Sequence, residues 1–398
     1  MDIFKKCLEY TRAKDAIESG NYPYFIPISG NDGPTVKMNG REVLMIGSNN
    51  YLGLTMDPRV IEAAVNATHK YGTSCSGSRF LNGTLDIHVQ LEEKIAELMN
   101  KEAALVFSTG YQTNLGAIAT MAHKDDVIII DRSNHASIYT GTRASFGATV
   151  KRYRHNDMED LERVISQIPS DKGKIIISDG VFSMEGDLVH LEQLTQIAKR
   201  HEARIYIDEA HGVGVLGANG RGSCEYLGFG DDVDIIMSTF SKSLASLGGF
   251  VCGPRYVIDY LKHTASPLIF SASPTPASTA AALKALEIIK DEPERRERLA
   301  EIGTYMRREL QNLGFDTGES YGTPIVPIYI RDDARAFYFW RRLFDSGVYA
   351  NAVVSPAVAP DQALIRTSFM ATHTNDHLNR CLEIMNKIAK EIDIIQPV

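Results

Sequence analysis

The chain has 398 residues, of which 44% are hydrophobic and 23% charged, with a formal net charge of -8 at pH 7. That length supports a large core shared between two lobes. The acidic balance argues against nucleic acid as a main partner, because phosphate binding needs a basic surface, but a small anionic ligand needs only a few local donors.

Residues 1–55, punctuated by Gly30, Gly33 and Pro34, read as an extended N-terminal arm. The arm opens on a mixed charged segment, Met1 to Lys6, and not on the apolar core of a signal peptide. Residues 56–285 read as a large domain. Apolar runs at Ala104–Phe107, Val127–Asp131, Lys174–Asp179, Arg204–Asp208, Asp234–Thr239 and Gly249–Gly253 alternate there with helical stretches at Asp86–Asn100, Glu159–Gln167 and His190–His201. Strands buried on both faces and separated by helices predict a mostly parallel sheet.

Residues 286–398 read as a smaller α+β domain. Its predicted elements are a helix at Arg295–Leu313 ending at Gly314, strands at Ile325–Ile330 and Leu364–Phe369, and a last helix at about 375–392. Leu378, Leu382, Met385 and Ile392 share one face of that helix, which reads as core packing. No stretch approaches the ~18 apolar residues of a membrane span. The five cysteines are scattered without a CxxC pair. They suggest no metal site and no disulfide framework, and they point to a reducing cytoplasm.

One motif is set aside on context. Gly212 to Gly217 matches G-x-G-x-x-G after a predicted strand. A dinucleotide fingerprint should then open a helix, whereas Ala218-Asn219-Gly220-Arg221-Gly222 is turn chemistry. A Gly-rich loop beside an active site is the better reading.

Three clusters fall at the C-terminal ends of predicted strands, the edge where open α/β sheets bind ligands. In Ser108-Thr109-Gly110-Tyr111-Gln112-Thr113-Asn114, a strand ends and a helix begins, so backbone N–H groups can hold a phosphate; an ordinary strand-to-helix turn is the alternative. Asp208-Glu209-Ala210-His211 places an acid at the end of a buried strand, where it needs a cation or strong donors. A protonated pyridine nitrogen is such a partner, and so is an arginine. In Thr239-Phe240-Ser241-Lys242-Ser243, a lysine follows an apolar strand among small residues, with room for a ring on its amine. Burial would make that amine nucleophilic.

These residues resemble the signature of the α-oxoamine synthases, fold-type I pyridoxal-phosphate enzymes. The likeness continues through Ser48 to Leu54, Gly77-Ser78-Arg79, Asn82-Gly83-Thr84, Asn134-His135-Ala136-Ser137, Phe182-Ser183-Met184-Glu185-Gly186-Asp187, Arg366-Thr367-Ser368 and His373-Thr374. Asn82 to His88, Arg154-His155-Asn156-Asp157-Met158 and Thr239 to Ser243 are similar to the serine-using members in their compact bacterial form. Ala245 stands where relatives often have glycine.

The resemblance implies a large domain with a mostly parallel seven-stranded sheet and a smaller α+β C-terminal domain. It implies pyridoxal 5'-phosphate held as a Schiff base on Lys242, which also moves the Cα proton. Asp208 would bind the ring nitrogen, His211 the ring oxygen with Ser183 nearby, and His135 would stack on the ring and contact the substrate. Gly110, Tyr111 and Thr239 would hold the phosphate, with Ser271 and Ser273 reaching it from a neighbouring subunit. Asn50, Ser76 and Arg366 are the substrate candidates, and no metal is implied. The expected partners are L-serine, a long-chain acyl-CoA and a second copy in a homodimer with shared active sites. The expected location is cytoplasmic, with peripheral contact at the inner membrane left open. The rivals are a sister synthase using glycine or alanine, a silent regulatory subunit, and a nucleotide-binding oxidoreductase.

Overall fold

The structure is a computed structural model that describes residues 2–318, 322–359 and 361–395. Two compact units emerge, Asn49–Glu301 and Met1–Ser48 with Ile302–Val398. The sequence expectation put boundaries at 55/56 and 285/286 and set the arm apart. In the structure the first 48 residues belong to the unit that contains the C-terminal part of the chain.

The Asn49–Glu301 unit is built on seven strands: β1 (Ala103–Phe107), β2 (Asp126–Asp131), β3 (Thr149–Tyr153), β4 (Gly173–Asp179), β5 (Arg204–Asp208), β6 (Ile235–Thr239) and β7 (Gly249–Gly253). Their order across the sheet is β1-β7-β6-β5-β4-β2-β3. All neighbours are parallel except β7, which is antiparallel to both β1 and β6. The exception follows from chain length. A parallel return needs a crossover of a dozen or more residues, and only the loop 240–248 joins β6 to β7. Edge strand β3 was not among the apolar runs. Its sequence Thr-Val-Lys-Arg-Tyr is largely solvent-facing, so it lacks the all-apolar pattern of a central strand.

Ile128, Ile130, Ile177, Tyr206, Met237 and Val251 form one core with Ala117 and Ile118 of the helix Gly110–Met121. Each fully buried aliphatic side chain there contributes roughly 1.5–3 kcal/mol. A Cβ on Gly141 would lie 2.9 Å from Ile118 Cβ, so glycine is what lets the helix Ala136–Ala144 pack closely on Gly110–Met121. That contact brings His135 and Asn114 to the same sheet edge.

The second unit explains where the arm belongs. The arm is not simply extended: it holds two short helices and the strands Ile28–Asn31, Thr35–Met38 and Arg41–Met45. The last of these pairs in parallel with Val348–Tyr349. Val36, Met38, Leu44 and Ile46 share a core with Phe339, Trp340, Leu343 and Met385. Hydrophobic burial therefore joins the arm to residues some 300 positions later. The strands Ile325–Tyr329, Leu364–Ser368 and Asn351–Val353 form a small antiparallel sheet. On the helix Asn375–Glu391, Leu378, Leu382 and Met385 are buried, as expected of core packing.

Candidate active site

The C-terminal ends of β1, β2, β4, β5 and β6 lead into Gly110, His135, Ser183, His211 and Lys242 respectively. All five line one cavity of about 270 Å³, together with Asp179, Asp208 and Thr239. Its size lies near the lower limit of ~300 Å³ usual for small-molecule sites. A larger cavity of about 450 Å³ lies at the opposite sheet edge, where Asp126, Gly173, Arg204 and Asp234 stand at or beside strand starts, and it gathers none of these groups.

Asp208 is 3% exposed. Its Oδ2 accepts from Asn114 Nδ2 at 2.7 Å, and its Oδ1 accepts from the Ala210 N–H at 2.9 Å. Tyr206 OH donates to Asn114 Oδ1 at 2.7 Å, which orients the amide so that its NH2 faces the carboxylate. A buried charge held by donors in this way is affordable, and it presents negative potential to the cavity.

Asp179 ends β4 directly opposite Asp208 in the strand register. Burial, and then the charge of Asp208, push its carboxyl well above the ordinary carboxylate range. Its Oδ2 accepts the backbone N–H of His135 at 2.9 Å. His135 is also the N-cap of its helix, with Nδ1 2.7 Å from Ser137 Oγ. Burial lowers the imidazole pKa; Asp208 opposes that shift and Lys242 adds to it. His135 is thus both a capping residue and part of the cavity wall.

His211 Nδ1 lies 2.6 Å from the hydroxyl of Tyr51, which is fully buried. Lys242 sits in the return loop between β6 and β7. Phe240 N–H donates to Gly248 O, Ser246 N–H to Phe240 O and Ala245 N–H to Lys242 O, so the loop is knitted by its own backbone. Ala245 has φ 50°, in the left-handed region that glycine favours.

At the far end of the cavity, Thr109 caps the helix Gly110–Met121 by accepting from Gln112 N–H. The first N–H groups of a helix have no intrahelical partner and suit an anion. A Cβ on Gly110 would lie 2.6 Å from Thr239 Oγ1, so only glycine leaves this cradle open. Gln112 Nε2 donates to Ser271 Oγ of the same chain at 3.1 Å. Ser273 Oγ is buried with no hydrogen-bond partner among the described residues, and its backbone N–H donates to Gly77 O.

Tyr111 also lines the cavity, whereas Asn50, Ser76 and Arg366 are not among its lining residues. Asn50 exchanges hydrogen bonds with Thr55, at 2.8 Å from its Nδ2, and Ser76 has φ 51° in a turn held by Ser74. Neither is part of the cavity wall. Arg366 belongs to the other unit, buried on the strand Leu364–Ser368 with Nη1 3.4 Å from Ser368 Oγ. The Gly212–Gly217 loop opens no helix there, in keeping with its turn chemistry. Its Gly212 makes room for the buried Glu209 carboxylate, which accepts from Ser223 and Cys224.

Residues 41–385 match the family model "Aminotransferase class I and II". The serine palmitoyltransferase of Sphingobacterium spiritivorum is 51% identical over 94% of each chain, and that of Bacteroides ovatus is 49% identical over 98% of this chain and 99% of the other. The chain belongs to the class I and II aminotransferase family, in its α-oxoamine synthase branch. A solved serine palmitoyltransferase from S. paucimobilis, with pyridoxal phosphate and myriocin, is 33% identical, with a TM-score of 0.96 over 99% of this chain and 100% of that one. The fold is that of the fold-type I pyridoxal-phosphate transferases.

The site of this α-oxoamine synthase fits a phosphorylated pyridine aldehyde on its own geometry. One end offers an anion cradle closed to any residue but glycine. The other offers a buried carboxylate, with an amine and an imidazole on the same wall. Three wall or support residues were missed as sites in the sequence: Tyr51, Asn114 and Asp179. Tyr51 and Asn114 lay inside quoted motifs, and Asp179 ended a predicted strand. Nothing local distinguished them from packing residues.

Proposed function

We propose that the chain is a serine palmitoyltransferase, condensing L-serine with palmitoyl-CoA to give 3-ketosphinganine, CoA and CO2. The observation that carries the reading is near-full-length identity of 49–51% to enzymes of that name, in a chain whose cavity assembles Lys242, Asp208, His211 and His135. Pyridoxal 5'-phosphate is the cofactor. When bound, it supplies an electron sink for the carbanion at the serine Cα.

The chain's own residues do the rest. Asp208 offers its carboxylate to the ring nitrogen and keeps a proton there, because its charge favours the protonated ring. Lys242 Nζ is the amine that binds the cofactor covalently, and afterwards the base that takes and returns the Cα proton. His211 has Nδ1 turned to Tyr51, so Nε2 is the nitrogen it offers to the ring oxygen, with Ser183 beside it. His135 supplies a flat face over the ring and a contact to the substrate carboxylate. Gly110, Tyr111 and Thr239 hold the phosphate. Arg366 suits bidentate binding of the serine carboxylate, and Asn50 and Ser76 complete the substrate set.

The protein works as a homodimer with shared active sites, in which Ser271 and Ser273 reach the neighbour's phosphate. Support comes from exposed apolar side chains on the loops involved: Leu81, Leu247 and Phe270 are 78%, 56% and 83% exposed in the single chain. Cytoplasmic residence with peripheral contact at the inner membrane suits a long-chain thioester. Among the described residues no helix is long and apolar enough to cross a membrane.

The test is release of CoA thiol from palmitoyl-CoA by the purified holoenzyme with L-serine, glycine or L-alanine in parallel. Release with serine alone supports the reading. Release with glycine or alanine in its place moves the assignment to a sister synthase.

A further inference from the structure

The Arg154 to Met158 segment takes no part in the chemistry above, yet its histidine stands at a junction. His155 Nδ1 lies 3.2 Å from Asp131 Oδ1 at the end of β2, and Nε2 lies 3.0 Å from Asp187 Oδ2. Asp187 closes a tight loop, Phe182–Asp187, in which Phe182 N–H donates to Asp187 O and Gly186 N–H to Phe182 O. The loop carries Ser183 to the cavity wall. The His155 ring also meets the buried Phe182 edge-on, with centroids 4.4 Å apart. Asn156 repeats the pattern: its N–H donates to Asp131 Oδ2 and its Nδ2 to Asp187 Oδ2, both at 2.8 Å. The Asp131 carboxylate also takes the Ser133 N–H, in the turn that leads to His135.

We propose that His155 is a positioning residue for the cofactor cavity, its two ring nitrogens tying the end of β2 to the Phe182–Asp187 loop and so fixing Ser183 at the wall. The chemistry of the pair of contacts requires a doubly protonated ring. A neutral imidazole has one N–H and cannot donate to two carboxylates at once. The groups facing the ring agree: Asp131 from β2, Asp187 and Glu185 from the loop. Burial lowers the imidazole, but its hydrogen bonds to the first two carboxylates outweigh that and raise it to about 10. This role presupposes the cofactor reading of the cavity but not the choice of serine or palmitoyl-CoA.

The experiment titrates pyridoxal phosphate into cofactor-stripped protein and follows bound-cofactor absorbance, for wild type, His155→Gln, Asp187→Asn and the double variant. Glutamine keeps one donor and loses the second and the charge. The expected result is a cofactor dissociation constant raised about tenfold in each single variant, the scale of one lost charge-assisted hydrogen bond. The double variant should be no worse than the weaker single one, because both break one link. With serine as substrate, KM rises by a similar factor while kcat stays within about threefold. Cofactor affinity within twofold of wild type in His155→Gln, or effects that multiply in the double variant, overturns the proposal. If His155→Gln does not fold, Asp187→Asn alone carries the affinity test. A wild-type protein that binds cofactor but releases no CoA thiol with serine would sink the functional reading and leave this test standing.

Discussion

The hydroxyl of Tyr51 lies 2.6 Å from His211 Nδ1, across 160 positions of sequence and in complete burial on the tyrosine side. The same hydroxyl lies 3.2 Å from Asn49 Oδ1, so the imidazole is held from outside the cavity by a network and is not left to rotate. Tyr51→Phe removes the hydroxyl and keeps the ring. It should destabilise the protein by about 1–2 kcal/mol, the usual result of stranding a buried partner, and weaken cofactor binding. Urea unfolding with and without pyridoxal phosphate measures both. Unchanged midpoints in both conditions would rule out this anchoring role.

Asp208 is tested by Asp208→Asn. Asparagine keeps the shape and the contact from Ala210, but it cannot hold a proton on the ring nitrogen by charge. The variant should still bind cofactor, while serine-dependent CoA release falls by about 10²–10³-fold, the scale of losing one preorganised electrostatic partner. Wild-type turnover would refute the assignment.

Asp179 offers a pH test. Its carboxyl is held above the ordinary carboxylate range, first by burial and then by Asp208. A raised carboxyl favours the folded state below the unfolded carboxylate range, and that contribution is lost as pH rises towards the folded value. Asp179→Asn keeps an acceptor for the His135 N–H and removes the titration. Thermal melts should show the variant gaining on wild type as pH rises from 5 to 8. A variant that instead loses ground to wild type over that range would mean Asp179 is stabilised as the anion.

Ala245 carries backbone strain beside Lys242, with φ 50°. An L-residue there costs roughly 1–2 kcal/mol, and glycine's extra freedom in the unfolded chain offsets about 0.5–1 of that. Ala245→Gly should therefore stabilise the protein by up to about 1 kcal/mol in urea unfolding. A loss of stability would show that the methyl group is worth more in packing than its strain.

Much of the site was legible before folding because its chemistry sits where strands stop. Asp208, His211 and Lys242 each follow an apolar run, and a polar group at the end of a buried strand announces itself by contrast. Gly110 was legible for a related reason, since a strand, a glycine and a helix start in succession make an anion cradle. The supporting residues gave no such contrast. Asn114 is a helix residue like any other until Tyr206 and Asp208, the latter 94 positions on, turn its amide. Asp179 looked like a strand terminus until the register set it opposite Asp208.

The sequence by itself determined six of the seven strands and the groups delivered to their C-terminal ends, because hydrophobic period and strand ends are local properties, whereas the strand order was set by the fold. Only the tertiary structure decided that the Asn114 amide meets the Asp208 carboxylate, that His211 Nδ1 meets the Tyr51 hydroxyl, and that the arm shares a core with Trp340. Those outcomes depend on contacts between residues far apart in the chain, and a charge or a tautomer is settled by what finally packs against it.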